Sequence, residues 1–246
     1  MNSNDKRGSD SISIEESIKI NPAEEFTKLG QQHEYKKAFE CYFKGSECGS
    51  NEAPHYIAEM LDEGHGCEKD ITKAFKWELI AANRGNPISQ LYVGFYYRDG
   101  KVVPQDYKKA LQYFTLAADN GQYDAAFILG INYLRGDEIS GTDIAKVEKY
   151  LFIALETAKT DEEKGSVYNE LGTTYGGCYA ADHSSSEFRN RCLWFLDEAA
   201  KLGNKNAKVN REKMEKVFEI NKRIRKEVSK MRPRLYPILS PDFCKE

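Results

Sequence analysis

Residues 51–86 read NEAPHYIAEMLDEGHGCEKDITKAFKWELIAANRGN, and residues 87–122 read PISQLYVGFYYRDGKVVPQDYKKALQYFTLAADNGQ. The two stretches align without a gap. Ile57 falls on Val93, Ala58 on Gly94, Gly64 on Gly100, Asp70 on Asp106, Ala74 on Ala110, Trp77 on Tyr113 and Gly85 on Gly121, each pair 36 residues apart. A period of that length, carried by small and aromatic residues together, marks a supersecondary unit copied along the chain. One such unit cannot bury its apolar face alone, so neighbouring copies stack into a continuous core.

Each copy carries the signals of two amphipathic helices. The first begins beside Asn51 or Asn86, with Pro54 or Pro87 in its first turn where a missing N–H costs little, and stops at Gly64 or Gly100. The second opens on Asp70 or Asp106, whose carboxylate accepts first-turn N–H groups and suits the positive end of the helix, and closes at Gly85 or Gly121. Ala74, Ala81 and Ala82, like Ala110, Ala117 and Ala118, keep one flank thin for close helix approach, while Trp77 and Tyr113 fill the space between hairpins.

The arrangement resembles the Sel1-like repeat, a relative of the tetratricopeptide repeat. A third copy is carried by Ala125, Leu129, Gly130, Tyr133, Gly136, Asp143 and Tyr150, with Val147 and Ala158 in place of the usual Ala and Gly. A fourth keeps Leu171, Gly172, Tyr175, Ala199, Ala200 and Gly203, with a longer loop in which Ser184 and Glu187 form a capping box. An earlier hairpin is marked by Leu29, Gly30, Lys37, Ala38 and Gly49. The resemblance implies an all-α, right-handed α-solenoid of about five antiparallel hairpins closed by a C-terminal helix.

The chain divides accordingly into a polar tail at 1–21, a repeat solenoid at 22–205, a basic amphipathic helix at 206–232 and an extended Pro-containing tail at 233–246. Forty per cent apolar residues suffices for a continuous core and includes no long lipid-facing run. The first 20 residues lack an apolar h-region, so no signal peptide is expected, and a cytoplasmic location follows, with non-classical secretion as an effector left open. From Lys205 to Arg234 twelve Lys or Arg stand against four Glu in a chain whose net charge is -3. Val217, Asn221, Ile224, Val228 and Met231 follow three-four spacing there, so the expected helix has an apolar face to cap the last hairpin and a basic face turned away.

Chemistry-bearing residues are scattered. One cysteine-rich group of Sel1-like proteins staples each repeat with regularly paired cysteines, but Cys41, Cys48, Cys67, Cys178, Cys192 and Cys244 occupy different repeat positions, which favours reduced thiols. His65 and Cys67 make a two-ligand fragment with no second pair at zinc spacing, so no metal or cofactor is expected. Some members of the family have been linked to β-lactam binding or hydrolysis. Here the one Ser-x-x-Lys, Ser3 to Lys6, lies in the polar tail with no Ser-Asp-Asn or Lys-Thr-Gly partner, and no acid, base and nucleophile are assembled. No catalytic residue is assigned.

Binding is the stronger expectation. In tetratricopeptide geometry the first helices line the concave side, and projecting the repeat frame places Glu52, His55, Glu59, Asp62 and Glu63, then Ile88, Leu91, Phe95, Arg98 and Asp99, then Asp124, Phe127, Ile131, Leu134 and Arg135 on that face. The expected partner groove is Leu91, Phe95, Arg98, Phe127, Ile131, Leu134 and Arg135, with Glu52, Glu59, Asp62 and Glu63 as a secondary acidic face. An apolar patch beside arginines suits a protein or peptide partner; packing between first helices accounts for the same residues equally well. The resemblance implies a non-catalytic scaffold or adaptor, narrowed to a bacterial effector or regulator, monomeric or dimeric. Nucleic acid on the basic helix and a β-lactam-directed enzyme are the competing readings.

Overall fold

The computed structural model describes residues 35–135, 143–181 and 186–235. Among them every regular element is a helix, and there are ten: α1 (Tyr35–Glu47), α2 (Ala53–Glu63), α3 (Ile71–Asn83), α4 (Pro87–Asp99), α5 (Tyr107–Asp119), α6 (Tyr123–Arg135), α7 (Ile144–Thr157), α8 (Asp161–Ala181), α9 (Ser186–Lys201) and α10 (Lys205–Leu235). The all-α class read from the repeat is what the chain adopts, with consecutive helices packed in pairs. The expected partner of α1, around Leu29 and Gly30, and the tails 1–21 and 236–246 lie outside the described residues.

Two compact units divide the chain at 125/126, inside α6. In the first, α2 pairs with α3 and α4 with α5, while α1 packs on α2 and α3 on α4. The helix boundaries have the causes expected of them, with one exception. Asp70 accepts the Lys73 N–H at 2.9 Å, Asp106 that of Lys109 at 3.0 Å and Asn86 that of Ser89 at 3.0 Å. At α2 it is Ser50, not Asn51, that caps: its Oγ accepts from the N–H groups of Glu52 and Ala53 at 3.3 and 3.1 Å. The first-helix stops Gly64 and Gly100 adopt φ of 79° and 66°, the left-handed conformation in which a Cβ is strained.

Hairpins close on a recurrent contact. A Cβ added to Gly94 would sit 2.5 Å from the Phe114 ring, so only hydrogen lets α4 and α5 approach this closely. In the second unit Gly130 stands against Leu151 and Gly172 against Leu196, each with a hypothetical Cβ at 2.6 Å. Adjacent hairpins are tied by polar links as well. Buried Gln90 donates to the Ala82 carbonyl at 3.2 Å and accepts from Asn120 at 2.9 Å, and Arg84 reaches the Ser50 carbonyl at 2.7 Å.

In the second unit α7, α8 and α9 pack in sequence and α10 lies on α9 and α8. The cap extends over only the first half of α10. Ala207 and Phe218 are buried, and the Met214 sulfur fills the space beside Gly176. Farther on, Ile220, Ile224 and Val228 are each more than half exposed. The helix also continues to Leu235, past the expected end at 232. No described helix is long and apolar enough to cross a membrane.

Candidate functional site

The first unit presents the α2 and α4 faces that the repeat frame marks for binding, and their side chains divide differently from the projection. Leu91 is 5% exposed and belongs to the core, whereas Tyr92, one residue on, is 46% exposed. A helix advances 100° per residue, so an error of one position turns a side chain from partner to interior. Phe95 is half-buried, edge-on to Phe114 at 5.3 Å, with the Arg98 guanidinium 4.6 Å above its ring. Arg98 itself is exposed and pairs with Asp99 at 2.8 Å.

Acidic residues stand beside this aromatic strip. Glu52, Glu59 and Glu63 are exposed and Asp62 is half-buried. Burial, and then the charges of Glu78, Glu59, Asp62 and Asp124, raise the Tyr92 pKa; Tyr96 is pushed up to about 12, by burial first and then by Asp62 and Glu78. His55 is stacked on Tyr92 at 5.9 Å, which joins the α2 and α4 faces into one surface.

The repeat frame puts His55 on the groove, but its ring turns inward. Nδ1 meets Glu78 Oε1 at 3.0 Å, and both side chains are largely shielded. Burial alone would lower the imidazole's pKa; the hydrogen bond to Glu78 and the charges of Glu78 and Glu59 outweigh it and hold the pKa above its usual value.

In the second unit Phe127, Ile131 and Leu134 are half-buried and Arg135 is exposed, all on α6. A separate cleft of about 520 Å³ is lined by Phe152, Tyr175, Asn190, Arg191, Trp194 and Phe195, none of them assigned a role from sequence. Tyr175 Oη donates to Glu148 at 2.6 Å and accepts from Arg191 at 3.0 Å. Phe152 and Trp194 are exposed. Their only sequence signal was an aromatic on the outer face of a second helix, which helical periodicity alone cannot separate from core. Among the described residues no three His, Cys, Asp or Glu side chains gather as metal ligands, and Cys41, Cys48, Cys67, Cys178 and Cys192 are free.

Three consecutive segments, residues 29–50, 52–86 and 87–122, match the Sel1 repeat. This is a Sel1-repeat protein. The helix pairs that follow residue 122 continue the Sel1 architecture in the fold. A protective antigen of uropathogenic Escherichia coli with an SLR fold superposes at a TM-score of 0.62 and 19% identity, over 80% of this chain and 42% of that one. This Sel1-repeat chain thus spans less than half the length of that antigen. A Sel1 repeat protein from Oxalobacter formigenes superposes at 0.60, also at 19% identity, over 81% of this chain and 88% of that one. Likeness at such identities establishes the fold alone. No curated protein matches the chain.

Proposed function

We propose that this Sel1-repeat protein is a non-catalytic scaffold that binds a protein or peptide on the first-helix face of its first unit. The observation that carries the reading is the Tyr92 side chain, nearly half exposed and stacked on His55, with Glu59 and Asp62 among the negative charges that act on it. Exposed tyrosine supplies rigid contact area with a polar tip, and neighbouring carboxylates favour a partner that brings Lys or Arg together with apolar side chains. Phe95, held by Phe114 and topped by Arg98, extends the strip. Leu91 supports this surface from beneath. Phe127, Ile131, Leu134 and Arg135 form a second candidate surface in the other unit, to be tested separately.

The cytoplasm as working place is part of the proposal and draws on free thiols. Cys192, fully buried, has its thiol pushed up to about 12 by burial, so it stays protonated and unreactive in the fold. A regulator acting on another protein inside the cell fits these features.

The test is affinity enrichment with the full chain, followed by Kd measurement on each purified candidate partner. Wild type is compared with Tyr92→Ala/Arg98→Glu and with Lys108→Glu on the exposed outer side of α5, all checked by circular dichroism. A partner whose affinity falls at least about tenfold in the double variant and is unchanged in the control supports the reading. Equal affinity for all three removes the α2–α4 face from consideration.

A further inference from the structure

A cleft of about 230 Å³ lies in the second unit between the end of α8, the start of α9 and the middle of α10. Its floor is aromatic: Tyr179 and Phe218, both buried, meet edge-to-face at 4.7 Å. Cations stand on that floor. The Arg189 guanidinium lies 5.5 Å from the Phe218 ring centre and that of Arg225 5.8 Å from the Tyr179 ring centre. Lys222 completes the wall, and the one carboxylate among the described lining residues is Glu219, 3.9 Å from Lys222. Ser186, the first residue of α9, lines the same space.

Two features separate this cluster from an ordinary basic helix face. Basic residues on a surface usually pair with carboxylates nearby, as Arg191 does with Glu187 at 2.8 Å and Arg211 with Glu215 at 2.8 Å. Among the described residues neither Arg189 nor Arg225 has an acidic side chain within ion-pair distance. Each guanidinium stands instead over an aromatic ring, and both side chains are exposed. The N–H edges of a guanidinium bind the oxygens of a tetrahedral oxyanion in pairs.

Charge and size select the ligand class. Among the described residues that line the cleft, three cations against one carboxylate leave two positive charges, which match a dianion. The volume admits one phosphoryl group with the atoms that carry it, and is too small to track a nucleic-acid backbone. The aromatic floor suits the carbon side of an ester. We propose that this cleft binds a phosphomonoester dianion, held by Arg189, Arg225 and Lys222 over Tyr179 and Phe218. The site lies in a different unit from the α2–α4 face, so it stands whether or not that face binds a partner.

Isothermal titration of the full chain tests it. The probes are inorganic phosphate and capped peptides carrying phosphoserine or phosphotyrosine, with aspartate-bearing and unmodified peptides as controls. The variants are Arg189→Gln/Arg225→Gln, Lys222→Gln as a milder second change, and Arg223→Gln, which does not line the cleft. The expected result is saturable binding of a phosphorylated probe that weakens at least about tenfold in the double variant, less in Lys222→Gln and not in Arg223→Gln. Tighter binding of phosphopeptides than of phosphate assigns the site to a phosphorylated protein; the reverse assigns it to a free phosphate compound. Lack of saturation at millimolar probe, equal binding of the aspartate peptide, or unchanged affinity in the folded double variant overturns the proposal.

Discussion

His55 and Glu78, 23 residues apart, form a shielded pair at 3.0 Å inside the first complete hairpin. Glu78 occupies the repeat position that Phe114 fills one copy later, and it is buried. A carboxylate in an apolar slot is tolerable only with a partner, and the first helix supplies it. Removing one member should therefore cost more than removing both. His55→Ala is expected to lose about 1–3 kcal/mol in urea denaturation, because it leaves Glu78 buried without its partner. The double variant His55→Leu/Glu78→Leu should lose less than that single change.

The same pair gives stability a pH dependence. Folding raises the His55 pKa above its ordinary value of 6.5, so the folded chain holds the proton more tightly than the unfolded chain does. This contribution is complete below pH 6.5 and fades as pH rises through the raised folded value. Denaturation midpoints measured across that window should decline in wild type, and this component should be absent in His55→Gln. Equal slopes would show that the pair does not titrate on folding.

Gly94→Ala places a methyl group 2.5 Å from the Phe114 ring. Overpacking of this kind costs about 1–3 kcal/mol, read from the urea midpoint. Combining it with Phe114→Leu should recover part of the loss, since Leu is the residue that faces the equivalent glycines Gly130 and Gly172.

Ser89→Ala should stabilise. The Ser89 hydroxyl is fully buried and makes no hydrogen bond, and the corresponding positions of the flanking copies hold buried Ala53 and Ala125. Relief of an unsatisfied hydroxyl is worth about 1 kcal/mol, visible as a raised thermal midpoint. A lower midpoint would mean that the hydroxyl has a partner.

Thiol labelling should sort the cysteines by depth. Exposed Cys48 is expected to react with an aromatic disulfide reagent in the native state, and Cys192, buried and with its thiol pushed up to about 12, only after denaturation. Fast native labelling of Cys192 would show that the α8–α9 hairpin opens readily.

The helix starts were legible because capping is local. Asp70, Asp106 and Asn86 announced α3, α5 and α4, each accepting an N–H three residues on. The choice of Ser50 over Asn51 is not legible in sequence, because both types cap well and only the backbone's entry into α2 chooses between them. The glycine of the repeat was legible as a small residue, but its reason, contact with Phe114, Leu151 or Leu196, was not. The candidate site was legible as far as the strip of α4 on which it lies. Tyr92 escaped because its exposure depends on how α4 is rotated against its neighbours, a property of packing.

The 36-residue period by itself determined the all-α architecture, the hairpin boundaries and the family, since caps, small flanks and apolar spacing act over a few residues and repeat wherever the sequence does. Tertiary structure alone decided that Leu91 goes inward and Tyr92 outward, that Glu78 finds His55, and that Arg189, Lys222 and Arg225 converge over Tyr179 and Phe218. Each of these depends on how one helix meets another. The angle and rotation at which helices meet are set by the collective fit of their side chains, and no local signal in the chain encodes that fit.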